Sequence, residues 1–113
     1  MHELSIAMSI VEMAEEEAER HGGKVRSVHL KLGALSGVVK AALLSSYEMA
    51  CQDTPLAGSR LVVEEIPIVV FCTQCQMRRG LTSAQWFYCP ECGTLASEVV
   101  QGKELEVVAL EIQ

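Results

Sequence analysis

Aromatic residues make up only 4% of this 113-residue chain, although half of it is apolar. Any core must therefore be aliphatic, built from Leu, Val, Ile, Ala and Met. Basic residues are also few, with nine Lys and Arg against fifteen Asp and Glu and a net charge of −6. That balance opposes non-specific attraction to nucleic acid or to an anionic membrane, and suits a handler of cations. No apolar run approaches the ~20 residues of a membrane-spanning helix. The first residues show no basic stretch leading into an apolar one, so they do not read as a signal peptide. The expected location is the cytoplasm, where thiols stay reduced, and five cysteines there point to a metal site before disulfides.

Four of those cysteines fall in two C-x2-C pairs, Cys72-Thr-Gln-Cys75 and Cys89-Pro-Glu-Cys92, separated by thirteen residues. Each pair can form a tight turn that aims two thiolates at one ion, and four thiolates close a tetrahedral shell with no position open to substrate. The expected ion is zinc in a structural role. Iron in a rubredoxin-like knuckle competes for the same sulfurs, since Cys89-Pro90-Glu91-Cys92-Gly93 fits that shape as well. Few apolar residues lie between the pairs, chiefly Trp86, Phe87 and Tyr88, so metal binding must supply much of the local folding free energy. Cys51 has no C-x2-C partner and reads as a small buried residue.

The chain starts Met1-His2-Glu3, directly before an amphipathic stretch. A histidine in second place sets an α-amine, a backbone amide and an imidazole within one short reach. Nitrogen donors in that arrangement suit a square-planar ion such as Ni(II) or Cu(II) better than zinc. The first N–H groups of a helix have no intrahelical partner, so the amides of His2 and Glu3 can ligate without breaking a ladder bond. The amine is expected to be free, because a bulky second residue blocks removal of the initiator methionine.

From Leu4 to Arg20 apolar residues recur at Leu4, Met8, Val11, Ala14 and Ala18, with Ala7 and Ile10 widening the stripe, and His21-Gly22-Gly23 ends the helix. Met8 and Met13 read as core packing. Lys24 to Gly33 alternates as a strand, with Val28, Leu30 and Leu32 on one face and Ser27, His29 and Lys31 on the other. A second helix is expected from about Val38 to Gln52, entered at Ser36-Gly37 and carrying Val39, Leu43, Tyr47 and Ala50 or Cys51 inward. Arg60–Ile66 and Lys103–Ile112 read as strands, the latter slipping phase near Val107-Val108. The expected fold is α+β: two helices packed on a small three-stranded sheet, with an inserted four-cysteine zinc-ribbon module. Residues 1–67 with 103–113 form the first domain and 68–102 the inserted one.

Three features then coincide: Met1-His2-Glu3 opening a helix, Gly33-Ala34-Leu35-Ser36-Gly37-Val38 after the first strand, and the four-cysteine ribbon followed by Gly102-Lys103-Glu104-Leu105. Over essentially its whole length the chain resembles the HypA/HybF family of nickel metallochaperones for [NiFe]-hydrogenase maturation. The resemblance implies nickel as cargo at Met1, His2 and Glu3, and zinc at Cys72, Cys75, Cys89 and Cys92. It also implies delivery to a hydrogenase large-subunit precursor in cooperation with a HypB-type GTPase, and no catalysis by this chain. Nickel can be held within one N-terminus or shared between two copies in a homodimer. Some relatives carry histidines beside the zinc cysteines; this ribbon has none, so a thiolate-to-histidine exchange is not expected within it, nor is a urease role carried over. His21 and His29 read as surface residues. The acidic run Glu15–Glu17 reads as a solvated face or a docking surface. An iron electron carrier and a nucleic-acid adaptor are the competing readings, the second disfavoured because Arg78 and Arg79 are the ribbon's two arginines.

Overall fold

The computed structural model describes residues 2–113. Along the chain run helix α1 (Glu3–His21), strand β1 (Val25–Gly33), helix α2 (Lys40–Cys51), and strands β2 (Arg60–Ile66), β3 (Ile68–Cys72), β4 (Met77–Leu81), β5 (Glu98–Gln101) and β6 (Leu105–Ile112). The strands form two three-stranded sheets, ordered β2-β1-β6 and β4-β3-β5. Two compact units result: Met1–Lys31 with Gly37–Glu64 and Glu106–Gln113, and Leu32–Ser36 with Glu65–Leu105.

In the first unit, α1 and α2 share one aliphatic core with the sheet. Ala7, Ile10, Val11, Ala14 and Ala18 of α1 meet Leu43, Tyr47 and Cys51 of α2 and Val25, Val28 and Leu30 of β1, with Leu56 and Leu61 completing the cluster. Lys24 and Gln113 exchange both backbone hydrogen bonds, 3.0 and 2.8 Å, which makes β1 and β6 antiparallel. β6 contributes Val107, Leu110 and Ile112 to the core margin. The step of three between the first two is the expected slip in its alternation.

The apolar stripe of α1 is displaced from its expected position. Met8 is 58% exposed and Leu4 is exposed as well. The buried face is centred on the small residues Ala7, Ala14 and Ala18, and Met8 stands roughly 120° around the helix from Ala14, beyond the buried arc. Core packing is therefore not the role of Met8. Gly22, at φ 65°, ends α1 as expected, its amide returning to Ala18 and Glu19.

Helix α2 starts at Lys40, with Val39 as its N-cap and no cap from a side chain of its own. Between Ser36 and that cap the chain turns: the Ser36 amide donates to the Gly33 carbonyl at 3.0 Å and Gly37 takes φ 79°. Leu43, Tyr47 and Cys51 are buried as expected, whereas Val39, also expected inward, is 60% exposed because it stands ahead of the first helical turn. The Tyr47 hydroxyl lies 2.7 Å from Ser59 Oγ, and Cys51 Sγ lies 3.8 Å from the same oxygen.

In the second unit β3 is the central strand. It pairs antiparallel with β4, from Ile68 opposite Leu81 to Cys72 opposite Met77, and with β5 on its other edge. Its inward residues Ile68, Val70 and Cys72 are buried. Residues 32–36 join this unit through close backbone contacts: Gly33 N–H donates to the Glu104 carbonyl at 2.7 Å and Leu35 N–H to the Gly102 carbonyl at 2.6 Å. A Cβ on Gly33 would stand 2.1 Å from the Gly102 oxygen, so only glycine fits there.

Candidate metal centres

Each cysteine pair is held by a turn that ends in a left-handed residue. Cys72 closes β3, and the Cys75 amide points back to Cys72 Sγ at 3.4 Å before Gln76 turns the chain with φ 55°. In the second turn the Cys89 amide donates to the Thr94 carbonyl at 2.8 Å, Gly93 returns to Cys89 at 2.9 Å, and Gly93 has φ 77°. A bridge between Tyr88 and Leu95 backs this turn. Two C-x2-C segments on such turns direct four sulfurs inward.

All four sulfurs lie within 4.8 Å of one another. Cys72 and Cys92 are 3.5 Å apart and Cys75 and Cys89 are 3.9 Å apart. Tetrahedral zinc with Zn–S bonds of about 2.3 Å requires sulfurs about 3.8 Å apart, so the cluster fits a single ion of that kind. Cys72 and Cys89 are buried, Cys75 is half-buried and Cys92 is exposed. Hydrogen bonds from the backbone amides of Cys92 and Glu91, acting against burial, bring the Cys89 thiol down to about 6. Thr94 holds the Cys92 thiol low, its hydroxyl lying 3.2 Å from the sulfur. Cys75 goes the other way: the hydrogen bond from Arg79 lowers it, but the neighbouring thiols and burial outweigh that and push it up to about 11. Four thiols in one shell cannot all ionise without a cation among them.

Arg79 escaped the sequence reading, which weighed it only as a charge for nucleic acid. Its guanidinium hydrogen-bonds Cys75 and Cys89, and this raises its own pKa. The available signal was its place on the strand returning from the first cysteine turn, where alternate residues face the cluster.

At the other candidate centre, Met1 lies outside the described residues. His2 is the exposed N-cap of α1, and its side chain makes no cap hydrogen bond. Glu3 is the first helical residue, and its carboxylate accepts the Val39 amide at 3.1 Å. That bond, followed by one from Glu3's own amide, holds the carboxyl below its ordinary value. Neither His21 nor His29 joins a cluster of metal-donor side chains among the described residues. His21 lies 3.7 Å from Glu17 at the end of α1. His29 is half-buried rather than a plain surface residue, because its Nε2 stands 3.1 Å from Ser27 Oγ, which in turn donates to Glu111 at 2.9 Å.

A closed four-sulfur cluster on a small α+β frame defines a metal-binding protein. Comparison with known proteins makes that specific. A family model described as hydrogenase/urease nickel incorporation, metallochaperone, HypA matches residues 1–112. The hydrogenase maturation factor HypA of Chloroflexus aurantiacus is 48% identical over 112 residues, covering 98% of each chain. That of a Roseiflexus species is 47% identical over 114 residues, covering 100% of this chain and 93% of its own. The solution structure of the Ni metallochaperone HypA from Helicobacter pylori shares the fold, with a TM-score of 0.66 at 22% identity over 99% of this chain and 97% of that one. A second HypA solution structure has a TM-score of 0.72 at 22% identity, covering 100% and 97%. The chain belongs to the HypA family of nickel metallochaperones for hydrogenase maturation. The resemblance read from the sequence, and the α+β fold with its ribbon, are both borne out.

Proposed function

We propose that this chain carries Ni(II) at its N-terminus and hands it to a [NiFe]-hydrogenase large-subunit precursor in the cytoplasm, with a HypB-type GTPase as partner. Met1 supplies the α-amine, His2 its imidazole and amide, and Glu3 its backbone nitrogen. The observation that carries this reading is His2 at the N-cap of α1, exposed and with no cap hydrogen bond from its side chain, in a chain matching the family from its first residue. An α-amine titrates at about 7.7–8.0, so nickel displaces protons on binding and its affinity falls with acidity, which provides a means of release.

The same proposal gives Cys72, Cys75, Cys89 and Cys92 to one zinc ion with a structural role. Residues 1–67 with 103–113 are then the nickel-binding domain and 68–102 the zinc-binding one. The chain supplies ligands and positioning, and any hydrolysis that drives transfer belongs to the GTPase.

The test is a Ni(II) titration of untagged, zinc-loaded protein beside His2→Ala, with the N-terminus verified by mass and bound metals measured by elemental analysis. The expected result is one nickel bound by wild type, nickel binding lost in His2→Ala, and one zinc in both. Equal nickel binding by the two proteins places the ligands elsewhere.

A further inference from the structure

The ribbon holds one cation that needs an explanation. Arg79 lies on β4 with its guanidinium against Cys75 and Cys89, and its Nε is buried without a hydrogen-bond partner. Arg79 as a whole is half-buried, and its charge, kept at any physiological pH, is favoured there by negative charge close by. Four thiolates around one divalent ion carry a net charge of about −2, which provides it.

The neighbouring arginine is placed differently. Arg78 is exposed and sits opposite Phe71 in the ladder, whereas Arg79 sits opposite the buried Val70. Adjacent strand residues face opposite sides, so only one of the two reaches the sulfurs. The contact is also one-sided within the cluster. Arg79 reaches Cys75 and Cys89, while the exposed Cys92 has Thr94 for company.

We infer that Arg79 is a positioning residue of the four-cysteine centre, its guanidinium donating to the sulfurs of Cys75 and Cys89 so that the metal-bearing thiolates are partly neutralised, less nucleophilic and retained, with Cys92 left as the sulfur open to attack. The inference rests on the zinc reading above. Groups that hydrogen-bond metal ligands typically govern affinity by about 10–100-fold, and this is the range expected here.

The experiment compares full-length wild type with Arg79→Met, Arg79→Lys and Arg78→Met, each loaded first with zinc and then with cobalt(II). Zinc affinity is read by chelator competition, the sulfur-to-cobalt charge-transfer band by absorption, and the order of alkylation by N-ethylmaleimide with mass spectrometry. In Arg79→Met the expected changes are at least about 10-fold weaker zinc retention, a charge-transfer band moved to lower energy, and Cys75 joining Cys92 among the first sites alkylated. Arg79→Lys should fall between Arg79→Met and wild type, and Arg78→Met should match wild type. The Lys variant keeps a charge in place, so it still reports on the band if the Met variant folds poorly. Unchanged bands and alkylation order in both Arg79 variants overturn the inference alone. Wild type that binds no zinc overturns the four-cysteine reading and the inference with it.

Discussion

The carboxylate of Glu3 caps the wrong helix in the sense of chain order: it stands in the first turn of α1 yet accepts the amide of Val39, the N-cap of α2, at 3.1 Å. In a capping box that bond comes from a Glu three residues further along the same helix. Here it ties the start of one helix to the start of the other, so the side chain of Glu3 is engaged in structure. Glu3→Ala should therefore lower the melting temperature by a few degrees, about what loss of a cap produces, while nickel stoichiometry stays at wild type. A Glu3→Ala protein that melts like wild type but loses nickel would show that the carboxylate is itself a ligand.

The same bond has a pH signature. The Glu3 carboxyl is depressed in the folded state, from an ordinary value of 4.5. Its contribution is thus fully present above that value and lost as pH falls through the lower folded one. Thermal melts of wild type and Glu3→Gln between pH 6 and pH 3 should show the difference between them shrinking on the acid side.

Gly33→Ala should be among the most damaging single-methyl substitutions in the chain. The added Cβ would meet backbone on three sides, Gly102 oxygen at 2.1 Å, Gly102 carbon at 2.3 Å and Glu104 nitrogen at 2.6 Å, and none of these atoms can rotate away. A loss of about 3 kcal/mol is expected, the upper end for overpacking, measured by denaturant unfolding. Gly37→Ala, which meets nothing within 4 Å but stands at φ 79°, should cost about 1 kcal/mol from backbone strain alone.

Zinc affinity should rise with pH across the neutral range. Cys89 titrates at about 6 but Cys75 only at about 11, so at pH 7 the empty cluster still holds at least one proton that an ion must displace. Chelator competition at pH 6.5, 7.5 and 8.5 should give a continuous increase. A flat profile would mean that all four sulfurs are already ionised before metal binds.

Ser27→Ala should destabilise the protein by about 1 kcal/mol, although serine on a strand looks dispensable. Its side chain is 1% exposed and links His29 to Glu111. The substitution should leave both metals bound. Loss of nickel in this variant would instead point to His29 as a ligand.

Period and spacing made most of the frame legible. The β-branched run Arg60–Ile66, the helix ended by Gly22 and the inward series Leu43, Tyr47 and Cys51 all stand where residue type and interval placed them. These are local properties, settled by backbone preference and by which residues can share one face. Misreadings arose where two elements meet. Met8 has a perfect helical interval to Leu4, yet the close approach allowed by Ala7 and Ala14 moved the buried arc past it. Ser36-Gly37 reads as the opening of the second helix, but the helix is entered later, with Val39 as N-cap and its amide held by Glu3.

By itself the sequence determined that four cysteines in two tight turns can enclose one ion, and that a histidine follows the first residue at the head of a helix. Paired spacing and chain order are enough for that, because the turns are closed by residues adjacent in sequence. Only the tertiary structure decided that Glu3 is held by Val39, that Gly33 must lack a Cβ because Gly102 lies against it, and that Arg79 rather than Arg78 faces the sulfurs. Each of these depends on a partner brought near by packing or by strand register, and no interval along the chain encodes such a distance.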